Sequence, residues 1–397
     1  MAIRILHVDL DAFFVEVCRQ QQPALRDVEL LVVGGRRESR GVVQSASYGA
    51  RKFGVRSGMP IGQAVRLCPD ATFVRGEFVH YRHASKAVRS VLEAHAPLVV
   101  MVGLDEGYLD FSGTDLLHPV SLLGVATTIR NAVHHATGLD CSIGIGPNRM
   151  IAKIASDFAK PRGVCEVRDG WERGFVAGLP LGALPGIGPK TAVRLQRQGL
   201  ESVAQVQAMS TDELAHLIGR DEAVALARRA AGRGGARLRP HGPAKSVSRE
   251  TTFSRDLADP AELDRVLLQL TARMAGQLRD EELVAGALVL KLRHGDFQTI
   301  TRRRALPTPS AFDQELLPIA RALLAPALAA ARARGQGVRL LGVAATSLRP
   351  AEAPELFESA ERGRQREVVR AIDTVRARFG FEAVRSGRLI RRSPPED

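Results

Sequence analysis

The sequence has few aromatic residues, few cysteines and no long apolar run, and each shortage excludes a class of protein. Only one of the 397 residues is Trp and three are Tyr, which excludes stacking of single-stranded bases on aromatic rings as a main mode of binding. The four cysteines lie far apart with no paired spacing, so they fit reduced core residues better than a disulfide framework or a zinc site. No apolar run approaches the roughly 18 residues that cross a membrane. The N-terminus carries an acidic pair where a signal peptide needs an uncharged segment, and we therefore expect a cytoplasmic protein.

The charge balance is strongly basic. Lys and Arg number 56 against 43 Asp and Glu, a net charge of +13, and the basic residues are spread along the whole chain. This distribution favours a polyanionic partner contacted by several domains, most readily nucleic acid, although a basic proteome or simple solubility is the alternative. At roughly 150 residues per domain, the length predicts two to four domains.

An acidic pair interrupts an apolar stretch in residues 98–113, LVVMVGLDEGYLDFSG. The pattern predicts a β-hairpin with Asp105 and Glu106 at its tip. Neighbouring side chains on a regular strand point to opposite faces, so the two carboxylates converge only if the backbone bends there. Carboxylates between apolar strands need a counter-charge, usually a divalent metal ion. A solvated acidic turn is the alternative.

The N-terminal segment places more acids at a strand end. Residues 3–9 alternate as a strand does, and a helix is predicted soon after them. Open α/β sheets bind ligands at the carboxyl ends of their strands, which makes Asp9 a candidate site residue. Asp11 stands where a helix N-cap is expected, and that role would explain it.

Two further segments carry groups that suit phosphate oxygens. Tyr48 and Arg51 are three residues apart and share a face if their segment is helical, and a hydroxyl beside a cation can bind phosphate. A solvated charged face is the alternative. In the helix predicted near residues 149–160, Lys153 and Lys160 lie opposite an apolar stripe. Lys160 either complements the helix dipole or reaches an anion.

The order of strands and helices up to about residue 165 resembles a split βαβ, ferredoxin-like core with residues 25–75 inserted. The motif LPGIGPKTAVRL follows, with Gly186, Gly188 and Lys190, and it predicts a helix-hairpin-helix that grips a nucleic-acid backbone. A plain glycine-rich turn is the alternative. Residues 232–245, rich in Gly, Arg and Pro, predict a basic linker before a second α+β domain. Candidate phosphate contacts in that domain are Ser246, Ser248, Arg302, Arg303 and Arg304, with the arginines expected near a strand end.

Five motifs, HVDLDAFF, SYGARKFGVRSGMP, LDEGYLD, GIGPNRMIAKIASDFAKPRG and LPGIGPKTAVRL, occur in the order and approximate spacing of the Y-family translesion DNA polymerases. The chain resembles the DNA polymerase IV branch over nearly its whole length. The resemblance implies an α+β multidomain fold, a right-hand polymerase. Its parts are a ferredoxin-like palm (1–24 and 76–165), small fingers (25–75), a helical thumb with the helix-hairpin-helix (166–231), the linker (232–245), an α+β little finger (246–349) and a C-terminal tail (350–397).

The same resemblance implies template-directed, low-fidelity DNA synthesis from dNTPs on a primer–template, by a monomer that uses two Mg²⁺ ions. Asp9 and Asp105 would bind both ions and Glu106 the catalytic one, and the backbone carbonyl of Leu10 would complete the nucleotide-side site. Phe14 would be the steric gate against a ribose 2′-hydroxyl. The residues that would line the incoming dNTP are Phe13, Phe14, Ser45, Tyr48, Arg51 and Lys160.

Two positions depart from the family pattern. Gly103 stands two residues before Asp105, where the family usually has Ser. Leu356 and Phe357 resemble the end of a sliding-clamp-binding peptide, but the glutamine expected a few residues earlier is missing. Two other functions explain less of the sequence. Catalytically silent polymerase relatives that act as DNA- or clamp-binding adaptors lack the carboxylates, all of which this chain has. A plain helix-hairpin-helix DNA-binding protein leaves Asp9, Asp105 and Phe14 unexplained.

Overall fold

The computed structural model describes residues 3–119, 121–235, 237–239, 242–351, 360–385 and 387. Two compact units make up the chain, Met1–Gly242 and Pro243–Asp397. The strands of the first unit are β1 (Ile5–Leu10), β2 (Leu31–Val33), β3 (Ser45–Ala46), β4 (Thr72–Val74), β5 (Leu98–Met101), β6 (Glu106–Asp110), β7 (Cys141–Gly146) and β8 (Val164–Glu166).

The helices of the first unit connect these strands and then continue without strands. They are α1 (Phe13–Gln21), α2 (Tyr48–Lys52), α3 (Ile61–Leu67), α4 (Phe78–His95), α5 (Leu123–Thr137), α6 (Arg149–Phe158), α7 (Glu172–Ala177), α8 (Pro189–Gln196), α9 (Val203–Ala208), α10 (Thr211–Ile218) and α11 (Arg220–Ala230).

A five-stranded sheet in the order β5-β6-β1-β7-β8 forms the centre of this unit. The N-terminal strand β1 lies in the middle and pairs antiparallel with both β6 and β7. Alternate β1 residues, such as Leu6 and Val8, enter a large buried core that also contains residues of α1, α4 and α5. The other face packs on α6, which approaches β7 so closely that a Cβ on Gly144 would lie 2.0 Å from the Ala152 carbonyl oxygen. The sequence therefore needs glycine at this crossing.

The insertion between α1 and α4 builds its own small sheet, in the order β3-β2-β4, with a separate core around Val32 and Ile61. After β8, the helices α7–α11 pack around buried residues such as Leu195 and Leu226. Helices α9 and α10 both begin with a capping box, in which a serine side chain and the third helical residue satisfy free N–H groups reciprocally.

Part of the predicted linker is attached to the first unit. The Asn148 side chain donates to the Gly232 carbonyl oxygen at 2.9 Å, and the Arg149 N–H donates to that of Gly235 at 3.0 Å. Leu238 is only 8% exposed, in a small core that includes Ile5. The beginning of this segment is therefore packed rather than free.

The second unit is a four-stranded antiparallel sheet in the order β11-β10-β12-β9, covered on one face by two long helices. Its elements are β9 (Ser246–Leu257), α12 (Pro260–Asp280), β10 (Leu283–His294), β11 (Thr299–Ser310), α13 (Asp313–Ala333), β12 (Val338–Pro350) and α14 (Ala360–Phe379). By length and composition, α13 is the one described helix that could cross a membrane, but a core helix passes the same test. Its buried residues, which include Leu316 and Leu324, belong to the core of this unit.

Helix α14 lies in the region that the sequence marks as a tail. The guanidinium of Arg279 on α12 donates to both carboxylate oxygens of Asp373, at 2.6 and 2.9 Å. Val369 on this helix is buried, whereas Val368 and Phe379 are 56% and 66% exposed. The folded part of this unit therefore extends well beyond residue 349.

Candidate active site

Three acidic residues lie at one end of the five-stranded sheet, and we call Asp9, Asp105 and Glu106 the carboxylate cluster. Asp9 on β1 is the direct partner of Glu106 on β6, and opposite residues of an antiparallel pair share a face with Cβ atoms about 4.5–5.5 Å apart. The N–H of Leu10 donates to the Asp105 carbonyl oxygen at 2.8 Å. The end of β1 therefore holds both acids of the hairpin.

Lysines supply the positive charge at the cluster. The Lys160 ammonium lies 2.8 Å from Asp9 Oδ1 and 2.8 Å from Asp157 Oδ1. Lys153 on α6 forms an ion pair with Glu106, and Nε2 of the fully buried His7 lies 3.4 Å from the same Glu106 oxygen. The predicted triphosphate ligand Lys160 thus contacts a carboxylate of the cluster. His7, which the sequence reasoning did not single out, lies behind Glu106.

The three carboxyl groups have different electrostatic surroundings. Burial raises the pKa of Asp9, and the nearby Lys160 only partly offsets this. Burial also raises the pKa of Asp105. The nearby His7 imidazole, together with Lys153, outweighs burial at Glu106 and lowers the pKa of that carboxyl to about 2. Glu106 is therefore the member whose charge the surroundings stabilise most, whereas the other two need an additional cation.

The donor set fits a hard divalent cation. In the described part of the chain, no group of three or more His, Cys, Asp and Glu side chains is arranged to hold a metal ion. Carboxylate oxygens are nevertheless the ligands that Mg²⁺ takes in proteins, and the ammonium groups of Lys153 and Lys160 stand in for the positive charge that buried carboxylates require.

The structure also accounts for Gly103. A Cβ at this position would lie 3.2 Å from Asp105 Oδ1, so either the new side chain or the carboxylate would have to shift. Glycine at this position leaves Asp105 room to adjust. The serine that the family usually has here would restrict the Asp105 carboxylate more than Gly103 does.

The predicted gate residue Phe14 sits in an aromatic cluster. Its ring lies 4.6 Å from that of Tyr81 and 6.4 Å from that of Phe78, both edge-on, and Phe13 completes the group at 5.2 Å. Tyr81 in turn contacts the Cys18 sulfur at 3.1 Å. The two α4 aromatics were not predicted, although Tyr81 is one of only three tyrosines in the chain.

Tyr48 and Arg51 lie together on α2, as their spacing predicts. The Arg51 guanidinium lies 5.0 Å from the centre of the Tyr48 ring, and its Nε donates to the Ala46 carbonyl oxygen at 2.9 Å. The Tyr48 hydroxyl donates to Asp11 Oδ1 at 3.1 Å, and burial and this carboxylate raise the pKa of Tyr48 to about 12. The neighbouring Ser45 is 4% exposed.

Asp11 does not cap α1. The N-cap of that helix is Ala12, which has left-handed backbone angles and receives no side-chain hydrogen bond. The Asp11 carboxylate points elsewhere, toward Tyr48, Ser142 and the backbone of Arg162. The capping explanation is therefore wrong.

The glycine turn before α8 has the predicted form. Gly186 has a φ of +90°, which favours glycine, and Gly188 is the N-cap of a helix that begins with Pro189. Lys190 follows in the first turn and is exposed. Backbone N–H groups at such a helix start are oriented to receive an anion.

In the second unit, the predicted phosphate contacts divide between the two faces of the sheet. Ser248, Ala344, Val289 and Arg303 form one row across the four strands, on the face turned away from α12 and α13, which we call the polar face. Arg302 and Arg304 share the helix-covered face, opposite the buried Leu290 and Leu288. Ser246 lies on the polar face through its pairing with Thr346. The three arginines occupy the middle of β11, so the expected place near a strand end is wrong.

Comparison with known proteins agrees with this architecture. The impB/mucB/samB family matches residues 8–157, the C-terminal domain of that family matches 244–356, and a SAM-like helix-hairpin-helix tandem matches 179–230. The DNA polymerase IV of Dehalococcoides mccartyi is 37% identical over 98% of both chains. That of Caulobacter vibrioides is 35% identical over 98% of this chain and 94% of the relative.

Solved structures show the same fold. A Y-family DNA polymerase chimera superimposes with a TM-score of 0.72 at 24% identity, over 87% of this chain and 98% of the other. The insertion ternary complex of Dbh DNA polymerase gives 0.60 at 24% identity, over 86% and 98%. These matches confirm the predicted α+β polymerase fold, and family membership implies dependence on a divalent metal. The chain therefore belongs to the Y-family DNA polymerases, in the DNA polymerase IV branch.

Proposed function

We propose that this chain is a template-directed DNA polymerase of low fidelity that adds dNTPs to a primer 3′-hydroxyl and copies past damaged bases. The observation that carries the proposal is the strand register that sets Asp9 opposite Glu106 while Leu10 holds Asp105. A catalytically silent adaptor has no need of three carboxylates at one end of a sheet.

Two Mg²⁺ ions bound here would activate the primer hydroxyl and neutralise the leaving pyrophosphate. Asp9 and Asp105 would contact both ions, Glu106 one of them, and the Leu10 carbonyl would complete the nucleotide-side site. The ammonium groups of Lys153 and Lys160 balance the negative charge of Glu106 and Asp9 when no metal ion is bound. Because an ammonium group on a long flexible stem can change partners, Lys160 can exchange Asp9 for a phosphate oxygen of the nucleotide.

The remaining nucleotide contacts come from α1 and the insertion. Arg51 and Tyr48 would bind phosphate oxygens, with Ser45 beside them. Phe14 would lie against the sugar, and its ring would occupy the space that a ribose 2′-hydroxyl needs. Phe13, whose side chain is buried in the core, would line the nucleotide site from behind Phe14. The aromatic neighbours of Phe14 support this role, because they restrict where the ring can move.

Contacts to the DNA backbone would come from both units. In the first, Gly186, Gly188 and Lys190 would bind phosphates of the duplex. In the second, Ser246, Ser248 and Arg303 would do so from the polar face and Arg302 and Arg304 from the edge strand. The palm, fingers, thumb and little finger would have the boundaries predicted from the sequence, and the protein would act as a monomer in the cytoplasm.

Clamp binding would use Leu356 and Phe357, which lie outside the described residues. Replacing both with Ala should remove any stimulation by a sliding clamp and leave unstimulated synthesis unchanged. Equal stimulation of the wild type and the double variant would contradict this assignment.

Primer extension with Mg²⁺, on undamaged and damaged templates, tests the whole proposal. The wild type should extend both, and Glu106→Gln should extend neither while binding primer–template DNA normally. Normal extension by Glu106→Gln would contradict the assignment of the carboxylate cluster. A wild-type protein that binds DNA but never extends it would favour the adaptor.

A further inference from the structure

Asp11 is a buried carboxylate that joins three separate segments of the first unit. Its side chain is 4% exposed. Oδ2 accepts a hydrogen bond from the Arg162 N–H at 2.8 Å, and the Ser142 hydroxyl lies 3.1 and 3.0 Å from the two carboxylate oxygens. Oδ1 also accepts from the Tyr48 hydroxyl at 3.1 Å. A buried carboxylate requires such donors, and these come from β7, from α2 and from the turn after Lys160.

The Arg162 contact fixes the turn that carries Lys160. Arg162 has a φ of +55°, which costs a non-glycine residue free energy and persists only where the surroundings impose it. Its N–H is held by Asp11, its carbonyl oxygen accepts from Arg130 at 2.8 Å, and its Nε lies 3.1 Å from Asp140. The path of the backbone directly after Lys160 therefore depends on Asp11.

The Tyr48 contact is of a different kind. A phenol has one proton to donate, so a Tyr48 hydroxyl that donates to Asp11 cannot donate to a phosphate at the same time. This is also an exchangeable contact, because Asp11 keeps Ser142 and the Arg162 N–H when the phenol turns away. Asp11 thus has one fixed contact, to the Arg162 N–H, and one contact that can be released, to the Tyr48 hydroxyl.

We propose that Asp11 is a positioning residue for the incoming triphosphate, which fixes the turn bearing Lys160 and holds the Tyr48 hydroxyl beside the site until a phosphate oxygen accepts its hydrogen bond. The proposal rests on the proposed polymerase function. It assigns no contact between Asp11 and the substrate or the reacting atoms.

Two substitutions at the same position should have different effects on dNTP binding. Asp11→Ala removes the anchor, and dNTP should bind the enzyme–DNA complex about tenfold more weakly, with kcat changed much less. In Asp11→Asn the oxygen can still accept from the Arg162 N–H, while the amide can donate to the Tyr48 oxygen and leave the phenol proton for phosphate. That variant should bind dNTP at least as tightly as the wild type.

The measurements are dNTP affinity on primer–template DNA with Ca²⁺, which reports binding apart from turnover, and the separate effects on KM and kcat with Mg²⁺. Unchanged dNTP affinity in Asp11→Ala would overturn the proposal, as would an equal loss in Asp11→Asn. If Asp11→Ala does not fold, Ser142→Ala provides the test, with an expected loss of about threefold in affinity; no loss overturns the proposal. An active wild type with an unaffected Asp11→Ala would refute only this proposal, whereas an inactive wild type would refute the polymerase function.

Discussion

The carboxylate cluster and the polar face of the second unit hold their charges in opposite ways. The side chains of Asp9, Lys160 and Glu106 are only 14%, 23% and 25% exposed, and each has a charged partner. On the polar face Lys291 and Glu250 pair at 36% and 48% exposure, and Arg303 reaches the Ser347 hydroxyl at 3.1 Å. Exposed pairs of this kind contribute little free energy. The first region holds its charges in fixed places, whereas the exposed pairs of the second can exchange partners, as contacts to the DNA backbone would require in our proposal.

The largest effect expected from this contrast is at the cluster. Asp105→Asn keeps the shape of the side chain but removes the charge, and it should lower the rate of single-nucleotide incorporation about 1,000-fold or more. Primer–template affinity, measured by fluorescence anisotropy, should stay within about twofold because this carboxylate does not contact the duplex in our proposal. A variant that incorporates nucleotides normally would show that the buried charges serve stability alone.

The gate should give the next largest effect. Phe14→Ala should reduce discrimination against ribonucleotides by about 100-fold, measured as the ratio of kcat/KM for a dNTP and the matching rNTP. Phe78→Ala is the matched control, because Phe78 belongs to the same aromatic cluster but is 48% exposed. It should change that ratio far less. Equal effects of the two variants would locate sugar selection in the cluster as a whole.

Two substitutions in the second unit test whether a buried ion pair contributes more to stability than an exposed one. Asp373→Ala removes the bidentate partner of Arg279, whose side chain is 15% exposed, and should cost about 2 kcal/mol because a charge then stays buried with fewer partners. Asp264→Ala breaks a bidentate pair with Arg321 at 38% and 31% exposure and should cost under about 1 kcal/mol. Thermal unfolding measures both, and equal losses would mean that burial is not the deciding variable.

The smallest effect expected is on the polar face. Arg303→Ala should weaken DNA binding about threefold and lower the slope of log K against log salt concentration by about 1. Arg302→Ala, one residue away on the helix-covered face, removes a contact that our proposal places on the edge strand and should change both less. A larger loss in the Arg302 variant would mean that the duplex lies mainly along the edge strand.

The sequence predicts the cluster because two local patterns locate it. Alternating apolar and polar residues mark β1 and β6 as strands. Asp9 and Glu106 stand at the ends of those alternating stretches, so their positions follow once the strands are placed. What periodicity cannot supply is the partner of a side chain. It assigns Lys153 and Lys160 to one side of a helix, and only the folded chain shows that Asp9 and Glu106 lie there.

The misses have similar physical causes. Asp11 precedes a helix, where an acid usually caps, but the left-handed Ala12 turns the chain and directs the carboxylate into the interior. Residues 41–44 look like a strand, yet the described chain has only a bridge from Val42 to Pro60 there and begins β3 at Ser45. Helix α14 falls in the segment expected as a tail, because the buried Val369 and the pairing of Asp373 with Arg279 give no sequence pattern that marks a helix as packed.

The position of β1 has a consequence for the folding of nascent and truncated chains. This first strand is the middle of its sheet, and both of its neighbours, β6 and β7, come later in the chain. A nascent or truncated product that ends before residue 146 leaves β1 with an unpaired edge, and such edges associate with other chains. Fragments designed to carry the site alone must therefore run through β7 and include Lys160, and nonsense products that end before residue 146 should aggregate rather than compete for DNA.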